Sequence, residues 1–310
     1  AYRMLKKLWR RERPDMVQLV TEGPLGFAAV KAARSLNIPV ISDFHTNFDQ
    51  YSRFYRAAGL FKVARWYLRY LHNLTLTTLV PTEELRKQLL NSGYKRVDIM
   101  ARGIDNKLFN PQRRNMALRE RLGIAPDVLL VVLVSRIAQE KNLDLAFDAF
   151  YEIERVLPEA QFLIVGDGPE RERLERDYRD CIFVGRKVGV ELAEFYASSD
   201  LFLYPSISET FGNVVLEAMM SGVPTVAFDY AAAGELIHSG ENGVAVSLGD
   251  EQAFINASVA LARDQMGRRR MGTKAAASVG HLSWERVVEG LHPTIQTTLY
   301  EANHEAHSPA

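Results

Sequence analysis

Short apolar runs alternate with longer amphipathic segments along the whole chain, and this alternation is the strongest constraint on its fold. Several of the runs lack polar alternation, which is typical of strands that are buried on both faces of a parallel sheet. The pattern therefore predicts open, doubly wound α/β sheets. The ten predicted strands are Met16–Val20, Pro39–Ser42, Thr77–Val80, Val97–Met100, Val128–Ser135, Gln161–Gly166, Cys181–Gly185, Asp200–Ser206, Pro224–Asp229 and Gly243–Leu248.

A charged segment with two prolines, Asn110–Asp127, separates the first four predicted strands from the last six. We therefore predict Rossmann-like domains over residues 1–118 and 119–282, with a C-terminal helix and polar tail over 283–310 that cross back toward the first domain. A complete first domain would open with a strand and a Gly-rich turn, and neither is seen before Met16. We therefore expect the first domain to be truncated at its N-terminus.

Composition argues against several classes of protein. Lys plus Arg and Asp plus Glu are equal at 38 each, so no overall charge favours nucleic acid. No apolar run reaches the length that spans a bilayer, and the basic N-terminal segment lacks the apolar stretch of a signal peptide. The single cysteine, Cys181, excludes an internal disulfide and lies in an apolar run, so we predict that it fills the core.

Two glutamates, Glu209 and Glu217, stand eight positions apart, a spacing that no single helix face explains. We predict a helix between them, with Asn213 as its N-cap and Gly222 at its end. Glu209 then precedes the helix and Glu217 lies just past its first turn. The free amides between the two acids favour a phosphate, and the carboxylates can accept hydrogen bonds from sugar hydroxyls. The alternative is an ordinary capped helix with one exposed and one half-buried acid.

Arg136 and Lys141 follow another predicted strand, at the edge where open α/β sheets bind ligands. Two cations there could neutralise a diphosphate leaving group. The alternative is a solvated loop, because Arg and Lys are common on surfaces.

Five ordered blocks between Val128 and Glu289 carry a resemblance: "VSRIAQEKN", "LIVGDGPER", "DLFLYPSISETFGNVVLEAMMSGVPTVAFD", "ENGVAV" and "SWERVVE". They resemble family 4 of the retaining glycosyltransferases, whose GT-B fold places two Rossmann-like domains across a cleft. In the first domain, "SDFHTNFDQY" and "ARGIDNKLFNP" also match. Together they are most similar to bacterial members that move mannose from GDP-mannose onto glycolipids, close to the sulfoquinovosyl-lipid synthases.

The resemblance implies a role for each matching residue. Arg136 and Lys141 should bind the donor diphosphate, Glu217 the ribose hydroxyls, and Glu209 and His45 the transferred sugar. The resemblance assigns catalytic roles to Arg136, Lys141, Glu209 and His45, but not to Glu217. The further donor-binding positions that it implies are Phe211, Gly212, Asn213 and Val214 beside the sugar and phosphate, and Gly185, Arg186 and Val188 beside the base. Separately from the donor site, it implies that Asp105 lies in a loop facing the cleft.

The family's chemistry keeps the anomeric configuration, and the leaving phosphate itself helps to accept the acceptor's proton. No D-x-D motif occurs in the chain, so a metal-bound diphosphate is not indicated, and we expect neither a metal nor another cofactor.

Two segments, Tyr2–Arg11 and Phe54–Asn73, mix Lys and Arg with aromatic and aliphatic residues. Such helices can lie on an anionic bilayer or can pack on a sheet with extended cations. The lipid acceptors of similar proteins favour helices that lie on an anionic bilayer. We therefore expect a cytoplasmic protein that is peripheral on the inner face of the cell membrane.

The alternative functions are a module that binds a nucleotide sugar without transferring it, and a UDP-sugar-dependent sulfoquinovosyl or glucosyl transferase. An epimerase or a phosphorylase on the same fold is a further alternative. A phosphorylase would need a cofactor lysine late in the chain, and Lys274 has no supporting motif.

Overall fold

The computed structural model describes residues 1–45 and 58–305. The chain divides into two compact units. The first unit contains Ala1–Arg102 and the C-terminal helix from Glu285, and the second is Gly103–Trp284. The start of the predicted segment Phe54–Asn73 and the end of the predicted polar tail lie outside the described residues.

Within residues 1–45 and 58–305, ten strands form two parallel sheets, and each predicted strand is confirmed to within a few residues. The sheet of the first unit has the order β1-β2-β3-β4, and the sheet of the second unit has the order β10-β9-β8-β5-β6-β7. The strands are β1 (Val17–Leu19), β2 (Val40–Asp43), β3 (Thr78–Val80), β4 (Val97–Ile99), β5 (Leu130–Val134), β6 (Gln161–Val165), β7 (Ile182–Gly185), β8 (Leu201–Tyr204), β9 (Thr225–Phe228) and β10 (Val244–Val246).

Helices connect the strands throughout the described ranges. They are α1 (Tyr2–Arg11), α2 (Pro24–Arg34), α3 (Ala58–His72), α4 (Glu83–Asn91), α5 (Met116–Arg121), α6 (Leu143–Glu154), α7 (Arg171–Asp177), α8 (Gly189–Ala197), α9 (Asn213–Met220), α10 (Ala231–Leu236), α11 (Glu251–Arg263), α12 (Gln265–Val279) and α13 (Trp284–Glu305). None of the helices in the described ranges has the length and apolar content that crossing a bilayer requires.

The second sheet is covered on both faces, which explains the apolar runs of its strands. In β5, Leu130 and Val132 pack into one core cluster, whereas Val131 and Leu133 pack into the cluster on the opposite face. All four side chains are essentially inaccessible to solvent. A strand in this position has no water-facing side, so its sequence shows no polar alternation. Cys181 packs beside the second cluster, and burial raises the pKa of its thiol to about 12.

The strand order of the second sheet reverses at its centre. The chain moves outward from β5 to β6 and β7, and then returns to place β8 on the other side of β5. In open α/β sheets, ligands bind beyond the carboxyl ends of the strands at such a reversal. The loops at this place are residues 135–142 after β5, which contain Arg136 and Lys141, and residues 205–212 after β8, which contain Glu209.

The segment that we predicted as a link between domains packs into the second unit. Leu118 and Ile124 join one of its core clusters, and Arg119 is fully buried. The second compact unit begins at Gly103, before this segment. The domain limits at residues 118 and 282 stay predictions.

The predicted N-cap at Asn213 is wrong. Asn213 is the first residue of α9, and the cap is Gly212 in a left-handed conformation with φ 94° and ψ 63°. A glycine adopts this conformation at little cost, so the chain can turn sharply into the helix without a capping side chain. The predicted stop at Gly222 is confirmed, because its φ of 76° cannot continue the helix.

Candidate functional site

Lys141 and Glu209 meet where the strand order reverses. Lys141 ends a short 3₁₀ turn after β5, and Glu209 lies in the loop after β8. The Lys141 amine donates to Oε1 of Glu209 at 2.5 Å and to the carbonyl oxygen of Ser208 at 3.3 Å. Both side chains of the pair are largely buried. The parallel neighbours β5 and β8 thus bring together two charges that are 68 residues apart in sequence.

The Glu209 carboxylate is held on one oxygen. The hydroxyls of Tyr204 and Ser206 donate to the same Oε1 that accepts from Lys141, with the Ser206 bond at 2.8 Å. The Tyr230 hydroxyl fixes the backbone by donating to the Glu209 carbonyl oxygen at 2.7 Å. No hydrogen bond within the described ranges uses Oε2. A carboxylate held in this way can accept a hydrogen bond from a ligand on its second oxygen.

The Tyr204 hydroxyl stays protonated at physiological pH. Burial, followed by the charge of Glu209 and the hydrogen bond to it, raises the pKa of Tyr204 well above its usual value. Tyr204 therefore acts as a fixed donor to the carboxylate.

Glu217 lies beyond the turn at Gly212 and faces a different environment. Its Oε2 accepts from the Tyr196 hydroxyl at 3.1 Å. Burial raises the pKa of the Glu217 carboxyl, and the Tyr196 hydrogen bond only partly opposes this. Glu209 and Glu217 thus stand on either side of the amino end of α9, where the first backbone amides have no partner within the helix.

Arg136 contacts a different acid from Lys141. Its Nη1 lies 3.4 Å from Oε1 of the buried Glu140, and 62% of the Arg136 side chain remains exposed. The structure therefore places the two predicted cations on one loop but brings only Lys141 into contact with Glu209. An exposed guanidinium beside a fixed lysine can still reach a ligand, since the Arg side chain is long and its planar fork suits phosphate.

The other predicted site residues lie in different local environments. Phe211 is buried in the core, and Val188 is 63% exposed. Gly185 ends β7 with a φ of 73°, and the predicted base-binding residues follow it. Asp105 accepts from the amides of Lys107 and Leu108 at 3.0 and 2.9 Å, so it stabilises its own turn. Contacts of these residues with a ligand stay predictions.

His45 lies in the first unit, two residues after β2. Its Nδ1 is 2.8 Å from Nη2 of Arg102, and its Nε2 is 3.6 Å from Oδ2 of the buried Asp43. The Gln18 amide donates to both oxygens of Asp43, at 3.0 and 2.8 Å. These polar groups belong to the carboxyl edge of the first sheet.

The sequence alone did not predict the residues that hydrogen-bond the side chains of the candidate site. Tyr204 and Ser206 carried a signal, because they flank the strand end immediately before Glu209. Tyr196 and Arg102 carried none, because their partners lie 21 and 57 residues away.

Comparison with known proteins identifies the family. The model described as Glycosyltransferase Family 4 matches residues 1–108, and that described as Glycosyl transferases group 1 matches residues 129–264. A GDP-mannose-dependent alpha-mannosyltransferase of Mycobacterium tuberculosis is 33% identical over 94% of this chain and 75% of its own length. The chain belongs to family 4 of the glycosyltransferases.

Other family members differ in name and length. Sulfoquinovosyl transferase SQD2 of Arabidopsis thaliana is 33% identical over 88% of this chain. The chain spans only 55% of that plant protein's length.

Solved structures show the same fold at lower identity. Sucrose-phosphate synthase from Thermosynechococcus elongatus has a TM-score of 0.81 at 18% identity, covering 97% of this chain and 77% of its own. A protein of Anabaena solved with UDP and glucose has a TM-score of 0.77 at 19% identity, covering 95% and 82%. The predicted fold class, α/β of the GT-B type, is confirmed by these neighbours.

Proposed function

We propose that this chain is a retaining glycosyltransferase that moves a hexosyl group from a nucleotide sugar onto a lipid-linked or glycolipid acceptor. The family membership supports transfer of a sugar, and the mannosyltransferase relatives support GDP-mannose as the donor. The observation that carries the proposal is the Lys141–Glu209 contact beside the amino end of α9. That arrangement offers a cation, the amino end of a helix and a fixed acceptor oxygen within one strand-end site.

Each part of this site has a chemical task in the proposed reaction. Lys141 and the α9 amides neutralise the negative charge that develops on the leaving diphosphate, and Arg136 adds a bidentate donor. Oε2 of Glu209 accepts from a hydroxyl of the transferred sugar, which orients the anomeric carbon. Glu217 accepts from the ribose hydroxyls. A deprotonated leaving phosphate takes the proton of the acceptor hydroxyl as the new glycosidic bond forms on the same face of the sugar.

The transfer experiment compares several donors. The chain is incubated with GDP-mannose, UDP-glucose or UDP-sulfoquinovose, each with and without a bacterial lipid extract. The proposal predicts a glycolipid product and free GDP from GDP-mannose, dependent on the lipid, with the anomeric configuration retained by NMR. Binding of every donor without product would support the non-transferring module instead. Product from one of the UDP-sugars alone would reassign the donor to that UDP-sugar.

We also propose that α3 contacts an anionic membrane surface at the inner face of the cell membrane. Its side chains Val63, Trp66 and Tyr70 are 61%, 57% and 43% exposed and follow helical spacing, so they form one outward stripe. The rings of Trp66 and Tyr70 stack at 5.6 Å. A second stripe at the same spacing carries Lys62, Arg65 and Arg69, and the helix contains no acidic residue.

The paired stripes suit a bilayer interface, because aromatic side chains enter the headgroup region while cations meet anionic lipid. The double variant Trp66→Ala/Tyr70→Ala should bind vesicles with 30% phosphatidylglycerol at least about tenfold more weakly in a sedimentation assay. The matched control is Tyr151→Ala, which removes an aromatic ring that is 61% exposed on the second unit. Equal binding of the wild type and the double variant would contradict the α3 surface.

A further inference from the structure

The environment of His45 defines where its ring carries a proton. Nη2 of Arg102 lies 2.8 Å from Nδ1 of His45, which is hydrogen-bonding distance. A guanidinium has only donors, so Nδ1 must be the acceptor in this pair. A neutral imidazole has one N–H, and that proton is therefore on Nε2.

Asp43 reinforces this arrangement without taking over the proton. Its Oδ2 lies 3.6 Å from Nε2, which is beyond a normal hydrogen bond but close enough for its charge to favour a proton there. The Gln18 amide donates to both Asp43 oxygens, which keeps the buried carboxylate in place.

Arg102 itself is fixed in a partly desolvated position. Burial lowers the pKa of Arg102 and the charge of Asp43 opposes that shift, while a guanidinium remains protonated in proteins. The cation therefore lies at the Nδ1 edge of the ring and the anion at the Nε2 edge.

The backbone of His45 is held as well as its ring. The His45 amide is one of the groups that favour the ionised Glu22 carboxylate. Burial by itself would raise the pKa of Glu22, but the nearby His72 ring and the amides of Glu22 and His45 bring it below its usual value. Glu22 therefore stays ionised beside the His45 amide.

We propose that Arg102 is a positioning residue that holds His45 as the Nε2–H tautomer, so that His45 donates a hydrogen bond to a hydroxyl of the transferred sugar. The inference rests on the proposed function for the sugar contact, but the tautomer does not depend on it. In this role His45 orients the sugar and is not a general base. Arg102 acts only through the ring and touches no substrate.

The first test measures the tautomer directly in the full chain. Ring-¹⁵N-labelled histidine is incorporated, and His45 is assigned among the seven histidines by its loss in His45→Gln. We expect the wild type to show a protonated Nε2 and an unprotonated Nδ1. Arg102→Met should produce a mixture of tautomers, and Arg102→Lys, which keeps a donor, should largely restore the wild-type signal.

Two outcomes would overturn the inference. A wild-type ring protonated at Nδ1 would do so, and so would an unchanged tautomer in Arg102→Met. Circular dichroism establishes that each variant is folded, and Arg102→Lys provides the folded comparison if Arg102→Met is not.

The second test uses transfer kinetics. Arg102→Met should lower kcat about tenfold, the effect of losing one hydrogen bond to the sugar, while the donor KM changes less than about twofold. Arg102→Lys should recover most of the loss. An equal kcat in Arg102→Met and the wild type would contradict the positioning role. Absence of transfer in every variant, including the wild type, would count against the proposed function and leave the tautomer result intact.

Discussion

Two largely buried ion pairs lie at opposite edges of the second sheet, and they differ in how many of their polar atoms form hydrogen bonds. At the amino edge, Nη1 of Arg119 donates to Asp200 at 3.0 Å and to the carbonyl of Ser198 at 2.9 Å. Its Nη2 donates to the carbonyls of Ala125 and Val128 at 2.9 and 2.5 Å. Only Nε of this guanidinium lacks an acceptor within the described ranges.

The carboxylate of this amino-edge pair is also fully engaged. Oδ2 of Asp200 accepts from the Leu130 amide at 2.9 Å in addition to Arg119, and Oδ1 accepts from Arg114 at 2.8 Å. The pair therefore ties α5 to the starts of β5 and β8 and has no oxygen directed to a ligand.

The carboxyl-edge pair is arranged differently. Lys141, Tyr204 and Ser206 all converge on Oε1 of Glu209, and no hydrogen bond in the described part of the chain reaches Oε2. An ion pair with one carboxylate oxygen outside its hydrogen bonds, at a strand-order reversal, is suited to binding a ligand. An ion pair whose carboxylate oxygens all accept hydrogen bonds from the protein is suited to stabilising the fold. This difference generates predictions that separate stability from donor binding.

The largest expected effect is the loss of the amino-edge pair. Arg119→Ala removes four hydrogen bonds and leaves Asp200 without its buried partner. We expect the free energy of unfolding, measured in urea, to fall by about 3–5 kcal/mol. The control Arg121→Ala, an exposed residue of the same helix, should stay within about 0.5 kcal/mol of wild type. A loss below about 1 kcal/mol in Arg119→Ala would show that the network contributes little.

The carboxyl-edge pair should show the opposite behaviour. Lys141→Ala should weaken GDP binding by about 100-fold in calorimetry, because a buried ammonium beside the diphosphate is lost. Its free energy of unfolding should change by less than Arg119→Ala changes it. Lys274→Ala, which removes an exposed lysine of the same unit, should bind GDP as the wild type does. Unchanged GDP affinity in Lys141→Ala would place the diphosphate elsewhere.

The smallest expected effect concerns Glu217, whose burial opposes its ionisation. Because burial raises the folded-state pKa of Glu217 above its ordinary value of 4.5, stability is lost as the pH rises from that ordinary value to the folded pKa, and the loss is complete above it. Glu217→Gln keeps an acceptor for Tyr196 without the charge. It should therefore raise the free energy of unfolding at pH 7 by about 0.5–1 kcal/mol.

The pH dependence checks the sign of this effect. The advantage of Glu217→Gln should be small near pH 4, where the carboxyl is mostly protonated in both states, should grow as the pH rises from 4.5 to the folded pKa, and should level off above it. An advantage that shrinks with rising pH would contradict the assigned environment of Glu217. The same variant should bind GDP more weakly, since a neutral amide accepts less strongly from the ribose hydroxyls than a carboxylate does.

The sequence predicted the fold well because its signal is local. Apolar runs of strand length identified all ten strands in the described part of the chain. The charged residues that follow β5 and β8 lie where the topology brings strand ends together. The sequence could not predict Arg119, because a charged segment is typical of a solvated link. Its buried acceptors include Ser198, which is 79 residues away.

The same limit applies to the site. Glu209 and Lys141 could be named from their positions, but the convergence of three donors on one oxygen depends on side-chain geometry that spacing does not encode. The turn at Gly212 also misled the prediction, since Asn213 is the better capping residue by side chain. The chain instead uses a left-handed glycine to bring Glu209 against the start of α9.

A crystal structure of the chain with GDP would test the central claim most directly. The account predicts the diphosphate oxygens within about 3–4 Å of the Lys141 ammonium and of the first amides of α9, with the ribose beside Glu217. A diphosphate bound away from Lys141, with the Lys141–Glu209 contact unchanged and no ligand at the amino end of α9, would contradict it.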